Sequence, residues 1–521
     1  MSRQKLIIFV VAFAALYALG IFWGLPSAMT AASDTTAPLG PLAFAAEYRD
    51  PSKSFIYPAV HQLLLLAFYA VVLVVCKLTG YLGAISSAWP YGFTDPSAVF
   101  SAFILVSNLV SLVMAIVLLL ALRRMRPTET CAMWFAMLLL GLSGVFAYYA
   151  RVANMDMPYL FWWVLSYVCL WRYVCGEGAR RKFLVYSAVL AALSIGTKDQ
   201  AAGLVLGFGF VVLLVPPRDG EGSWKERIKS AAFFSVCLIA AYALVAVATN
   251  PQRWLKHVRF VTSDHVLPEV EASVRGQLLL FSRFVGRLGH ILTPGGVLLG
   301  VGGMVVLAAQ RRYRELLVLT LPVAAYYCSI IAKVRATEER YLLPFAIVLS
   351  IGAGVAVGAA LSSRWRERSV LRALMWVVIV GVLAQQFVWS FIPVTYAQLF
   401  DTKGALARDI ARLAPEGSNL LMVDMVSFNL PNRHVYDHYT LMHPPGEKLF
   451  PLSTHGENLF KPYDPSYKFV LAGSVREPGR AEWPKADLEA VQSWTYPEWI
   501  KSHIYVPAVY EFYLFRRKET P

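Results

Sequence analysis

The chain reads as a polytopic α-helical membrane protein closed by a small soluble α/β domain, and three observations predict this. Apolar residues make up 57% of the 521, and the mean hydropathy is +0.53, too apolar for a soluble multidomain protein. The apolar residues fall in runs of membrane-spanning length separated by short, mostly basic loops. Beyond Pro393 the runs stop, and the composition becomes that of a soluble domain.

Net charge is +15. Residues 401–521 hold 14 Lys and Arg against 15 Asp and Glu, so the whole excess lies in residues 1–400. There it sits largely in short loops, where the positive-inside rule places it, and no nucleic-acid partner is needed to explain it. The six cysteines, Cys76, Cys131, Cys169, Cys175, Cys237 and Cys328, form no CxxC pair and no regular spacing. They point to neither a disulfide framework nor a zinc site.

The first span is Leu6–Leu25. Its basic MSRQK start places the N-terminus in the cytoplasm, and the run is too long and lacks a small-residue cleavage site for a signal peptide. Residues 58–80 are apolar enough to cross, but a crossing there would put Arg123, Arg124 and Arg126 outside, against the Lys/Arg bias. They are therefore expected to lie along or dip into the outer leaflet, making 26–97 one external region. Further spans fall at about 98–121, 131–149, 158–174, 183–195, 201–215, 230–248, 291–309, 316–332, 341–361 and 370–391. That makes eleven, with 249–290 as a second external loop and the C-terminus outside. Residues 1–395 form the membrane domain and 396–521 the extracytoplasmic α/β domain, with a helix at Lys403–Leu413 and strands at Asn419–Val423, Phe469–Ala472 and Tyr510–Phe515.

The stretch Tyr148–Tyr159, YYARVANMDMPY, places Arg151, Asn154 and Asp156 between two apolar segments. Ionisable groups at a bilayer edge cost several kcal/mol if unpaired, so they mark a site by default. The alternatives are that Asp156 caps the next helix, with Pro158 in its first turn, and that Arg151 is an interfacial anchor. The orientation sends Asp34, Arg151, Asp156, Lys198 and Arg340 to one external side. Carboxylates facing cations suit a sugar whose leaving group is a phosphate: a carboxylate takes the acceptor hydroxyl proton, and Arg and Lys stabilise the departing charge. Water-facing chemistry at a membrane implies a lipid-linked donor. Taken singly, Asp34 before Thr35 also fits an Asx turn, and Lys198 and Arg340 also fit snorkelling side chains. His257 with His265, and His434 with His438, lack a carboxylate or cysteine at ligand spacing, so no cofactor is implied, while a divalent metal stays open.

With YYARVANMDMPYLFWW, GTKDQAAG and ERYLLP in place, residues 1 to about 400 resemble the polyprenyl-phosphate-sugar-dependent glycosyltransferases of the GT-C superfamily. These include protein O-mannosyltransferases and the bacterial transferases that add aminoarabinose to lipid A. The resemblance implies a bacterial inner-membrane enzyme that moves a sugar, with inversion, from a polyprenyl phosphate to an extracytoplasmic hydroxyl of a protein, lipid or glycan. It implies Asp34 as catalytic base, although Thr35 stands where the family often has a second acid, with Glu47 and Asp50 as fallbacks. It matches Arg151 and Asp156 to the second external loop, Asp156 as a catalytic group with Asn154 beside it. Lys198 and Arg340 match basic positions facing the donor phosphate, with Arg151 as a third cation for it, and Tyr57 is a further candidate without a position. Two rivals remain: a glycolipid transporter or flippase, whose ionisable groups would line a path at mid-membrane depth, and an inactive binder of lipid-linked sugar, which Thr35 allows.

If residues 58–80 do not cross, cysteines engineered at Ser86 and Arg124 will label from opposite sides of the membrane in intact cells. Labelling of Arg124→Cys from outside would add a crossing.

Overall fold

The structure, a computed structural model, describes residues 3–23, 25, 39–46, 58–84, 92–125, 130–176, 181–217, 223–248, 250–262, 268–362, 369–423, 440–442, 460–461, 466–474, 488–503 and 511–518. Asp34, Glu47, Asp50 and Tyr57 lie outside the described residues, as do His265, His434 and His438.

The helices in order are α1 (Arg3–Ala18), α2 (Leu39–Ala46), α3 (Ala59–Leu78), α4 (Pro96–Leu122), α5 (Thr130–Gly141), α6 (Gly144–Tyr149), α7 (Asp156–Val174), α8 (Arg181–Ile195), α9 (Ala201–Leu214) and α10 (Trp224–Tyr242). They continue as α11 (Pro251–Thr262), α12 (Val274–Ala309), α13 (Tyr313–Tyr326), α14 (Ala332–Val334), α15 (Glu339–Ser362), α16 (Ser369–Gln386), α17 (Ile392–Leu399), α18 (Thr402–Leu413) and α19 (Glu498–Lys501). Among the described residues, seven helices are long and apolar enough to cross a membrane, and shorter apolar helices lie at Gln4–Ala18, Ala132–Gly141 and Ala201–Leu214. The protein is an integral membrane protein.

Local chemistry sets several starts. The Asp95 carboxylate accepts from the Ala98 amide at 3.0 Å and Pro96 opens α4, while Ser223 and Ser273 do the same service for α10 and α12. α3 and α4 form a hairpin closed by an antiparallel bridge between Leu82 and Phe93. Leu65, Tyr69 and Cys76 pack with Phe93, Phe100 and Phe103, and the Tyr69 and Ser107 hydroxyls meet at 2.7 Å. The other face of α3, with Val71, Val74, Val75 and Leu78, is exposed and apolar, as a lipid-facing helix requires. α3 is one of the seven, so its length and composition permit crossing as well as lying in a leaflet.

The second external loop departs from expectation. Residues 249–290 carry α11 and the first half of α12, because Ser273 caps a helix there and Glu269 pairs with Arg287 and Arg283 along it at 3.0 and 3.7 Å. α12 is 36 residues long and breaks at Thr293, whose φ of 56° and ψ of 158° precede Pro294. At the break the Gln386 side-chain amide donates to the Ile291 carbonyl at 2.7 Å. Five-residue π-helical turns close α10 (Ala243–Val247), α13 (Tyr327–Ile331) and α16 (Phe387–Phe391).

Beyond α17, Asp401 accepts from the Lys403 amide and starts α18, and Gly417, at φ +82°, turns the chain into the sheet. The strands are β1 (Asn419–Val423), β2 (Thr440–Met442), β3 (Phe460–Lys461), β4 (Phe469–Ser474), β5 (Leu488–Trp494) and β6 (Glu511–Arg517). Their order is β3-β2-β1-β4-β6-β5, parallel from β3 to β4, with β6 antiparallel to both β4 and β5. The Tyr496 hydroxyl joins this domain to the bundle, donating to the Ala397 carbonyl at 3.3 Å and meeting Thr402 at 3.0 Å.

α12 and α15 approach through glycines. A Cβ on Gly303 would overlap the Gly352 carbonyl, and one on Gly352 would overlap that of Gly300, the small-residue contact that membrane helices use where no hydrophobic drive separates lipid from side chain. Gly303→Leu will lower thermal stability in detergent by at least about 1–3 kcal/mol through overpacking. Gly286→Leu, on the same helix with nothing within 4 Å of the added atom, is the control and will leave it unchanged.

Candidate active site

The loop 150–155 runs between α6 and α7, and its hydrogen bonds decide what Asp156 does. The Asn154 side-chain oxygen accepts the Asp156 amide at 2.7 Å, and the N-cap position belongs to Met155, which makes no side-chain bond. Asp156 is therefore the first helical residue and not the cap. Its carboxylate is left for Lys198, whose Nζ donates to Oδ1 at 2.5 Å across 42 residues of sequence. The two side chains are 0% and 7% exposed. Asp156 Oδ2 has no partner among the described residues.

Lys198 stands in the turn between α8 and α9, with its amide bonded to the Ser194 carbonyl at 3.0 Å. Gly196 is required there: a Cβ would lie 2.7 Å from Val60, whose own amide donates to the Gly196 carbonyl at 2.9 Å. The start of α3 is thus docked on the lysine turn. The ammonium lies 5.6 and 5.9 Å from the Tyr159 and Tyr341 ring centres, aromatic faces that favour a cation. Asp199, the next residue, meets His257 Nε2 at 2.9 Å and so ties α11 to the turn. Arg253 precedes His257 by one turn on the same buried face.

A second ion pair comes from the segment before α15. Arg335 holds a left-handed backbone, φ 57°, uncommon for any residue but glycine, and the Glu269 carboxylate takes the Thr337 amide and hydroxyl at 3.1 Å each. Arg340 then reaches Glu338 at 2.6 Å. Burial pushes the Glu338 carboxyl up to about 7 although 43% of the side chain is still open. Lys198 opposes the rise and the carboxylates of Asp156, Glu339 and Glu269 add to it. Geometry links the two pairs through Tyr341, whose ring centre lies 5.9 Å from the Lys198 ammonium and 5.0 Å from the Arg340 guanidinium carbon.

The structure engages Arg151 with other parts of the chain. Its guanidinium is fully buried and donates to Thr395 at 3.0 Å, to Gln398 at 2.8 Å and to the Leu16 carbonyl at 3.2 Å. Both terminal nitrogens are occupied by protein, and Asp156 is paired elsewhere, so a bidentate Arg151–Asp156 bridge is not formed. Of the five residues that the orientation sends to one external side, Asp34 lies outside the described residues, Asp156 is joined to Lys198, Arg340 pairs with Glu338, and Arg151 bonds to Thr395, Gln398 and Leu16. Sequence reasoning passed over Asp199, beside Lys198 in the same motif, and Glu338, beside Arg340, although position alone could have raised both. His257 had been weighed only as a metal ligand. Among the described residues no three His, Cys, Asp or Glu side chains gather into a metal site.

Residues 43–255 match the family of dolichyl-phosphate-mannose-protein mannosyltransferases. The match covers under half of the chain. That mannosyltransferase-type segment contains Arg151, Asn154, Asp156 and Lys198 and ends before Arg340, and the match bears out the resemblance read from the motifs. Solved structures similar to the whole chain include ArnT from Cupriavidus metallidurans bound to undecaprenyl phosphate, at 15% identity, 99% of this chain, 98% of that one and a TM-score of 0.44. Another is the oligosaccharyltransferase AglB from Archaeoglobus fulgidus, with an inhibitory peptide and a dolichol-phosphate, at 11% identity, 90% and 70% coverage and 0.44. The Pmt1–Pmt2 protein O-mannosyltransferase complex of S. cerevisiae, bound to its sugar donor, matches at 14% identity, 49% and 35% coverage and 0.34. No curated protein sequence matches the chain.

Removing one partner of a buried ion pair costs about 3–5 kcal/mol, because the other charge stays buried. Lys198→Met will therefore melt well below the wild type in detergent, and adding Asp156→Asn to it will recover part of the loss. A double variant no more stable than the single one would show that Asp156 is not the charge that Lys198 neutralises.

Proposed function

We propose that the protein is a membrane glycosyltransferase that moves a sugar from a polyprenyl-phosphate donor to a hydroxyl acceptor on the extracytoplasmic face, with inversion. The observation that carries this reading is the buried Lys198–Asp156 pair inside the mannosyltransferase-type segment, with Arg340, paired to Glu338, on the same Tyr341 ring as Lys198. The family's own name specifies a polyprenyl-type phosphate as donor handle. The N-terminus is cytoplasmic, as in a bacterial inner membrane, and the α/β domain lies on the acceptor side.

Direct displacement uses these groups as follows. The acceptor O–H proton passes to the Asp34 carboxylate, the oxygen attacks the anomeric carbon, and the bond from that carbon to the phosphate oxygen breaks with its electron pair going to the phosphate. Lys198 and Arg340 stabilise that charge by charge-assisted hydrogen bonds. Asp156 holds Lys198 in place before the donor arrives. Glu47 and Asp50 are the alternative bases in the same external segment, and Asn154 fixes the carboxylate-bearing turn. Glu338 keeps Arg340 in a neutral pair until a phosphate competes for it.

Asp34→Asn will lower kcat by about 10²- to 10⁴-fold while leaving donor binding in place, the range expected for loss of a general base. Lys198→Ala and Arg340→Ala will each raise the donor requirement by the equivalent of about 1.5–3 kcal/mol. Steady-state transfer against donor concentration, on variants first shown to fold, reads both effects. Wild-type kinetics in both cation variants would move the phosphate to α11, with Arg253 and Lys256.

A further inference from the structure

Arg151 lies where three parts of the chain meet. Its bonds reach the last turn of α1 through the Leu16 carbonyl and reach α17 through Thr395 and Gln398. Its guanidinium carbon stands 4.9 Å from the Phe391 ring centre and 5.8 Å from that of Tyr17. The Leu16 carbonyl is one of those a helix end leaves without an internal partner, and an arginine supplies the donor. Gly20, at φ +86°, makes room, since a Cβ there would come within 3.0 Å of Gln398 and 3.5 Å of the Arg151 Nη1.

Each end of this junction leads to a functional part. Three residues after Arg151, Asn154 fixes the Asp156 amide, and Asp156 holds Lys198. On the other side, α17 is the helix on which the C-terminal domain sits: the Ala397 carbonyl, beside Gln398, accepts from the Tyr496 hydroxyl. The Tyr496 amide in turn donates to Glu511 at the start of β6. The bonds from Asn154 to Asp156, from Asp156 to Lys198 and from Tyr496 to Ala397 and Glu511 are all buried, and a buried guanidinium bonded through both terminal nitrogens, with its Nε left without a partner among the described residues, loses further bonds if α17 moves.

We propose that Arg151 is a positioning residue that couples the seating of the C-terminal domain on α17 to the placement of Asp156. Movement of α17 is transmitted through the guanidinium to the turn that carries Asp156 and Asn154, so the acceptor-side domain and the Lys198–Asp156 pair keep one register. The proposal rests on the functional reading of Asp156 for its kinetic consequence but not for the coupling itself.

The test uses the full-length protein in detergent and two mild variants, Tyr496→Phe and Thr395→Val, with Arg151→Lys as the direct one. Hydrogen exchange of the 151–158 backbone is measured first. Tyr496→Phe, remote from that segment, is expected to speed its exchange by about 2- to 30-fold, the range of coupling found along packed networks, and to add nothing in the Arg151→Lys background. Unchanged exchange in Tyr496→Phe and Thr395→Val, or equal effects with and without Arg151, overturns the coupling. In transfer assays all three variants are expected to lower kcat with the donor KM within about twofold. A rise in donor KM with kcat kept would overturn the positioning role and return Arg151 to the donor. Exchange coupling without any transferase activity in the wild type would leave the coupling standing and sink the function proposed above.

Discussion

The rest of the site depends on one buried ion pair. Asp156 and Lys198 come from different helix ends, and neither could stay ionised alone at that burial. Their pairing dictates the neighbours: Asn154 must take the Asp156 amide so that the carboxylate can turn to the lysine, and Gly196 must lack a side chain so that α3 can seat against the lysine turn. Tyr159 and Tyr341 line the ammonium with ring faces and not with competing carboxylates. A pair of this kind adds little net stability, since desolvation takes back much of the Coulomb gain. What the pair does provide is a cation held ready in apolar surroundings, with a carboxylate oxygen that has no partner among the described residues.

Much of the fold was legible because its signals are local. The apolar runs announced α4, α7, α8 and α9 within a few residues, and alternation with flanking turns announced β1, β4 and β6. The first half of α12 was not, because its arginines and their partner Glu269, which lies in the same stretch, gave 249–290 the composition of a polar loop. The break between α5 and α6 was missed for the opposite reason: hydropathy is continuous across Leu142 and Ser143, and only the hydroxyl of Ser143, bonded to the Phe146 amide, reveals a new start.

The site shows the same division. Arg151 and Asp156 stand out in the sequence because charge next to apolar sequence is costly wherever it occurs, whereas Lys198 and Arg340 are singled out by the orientation of the spans and by the family resemblance. What each charge faces was not readable, since partners are set by how helix ends meet. The resemblance implies the same role for Arg151 as for Lys198, yet Arg151 faces Thr395 and Gln398 while Lys198 faces Asp156. The roles of the two cations diverge only in three dimensions.

The π-helical turns that end α10, α13 and α16 each abut a glycine near the site. Val245 lies against Gly196, Ser329 against Gly203, and the Ser390 hydroxyl takes the Gly144 amide at 2.8 Å. A π turn holds one residue more than the α-helix around it, and one residue is about 100° of helical phase. Each of these helices can therefore present one stripe to its neighbours along its length and an independently chosen stripe at its tip. The lipid-facing part of the sequence is free to drift in hydrophobic content without rotating the groups at the mouth of the bundle. A deletion that restored α-helical phase in any of the three would shift the tip against its glycine while leaving the hydropathy profile of the span almost unaltered.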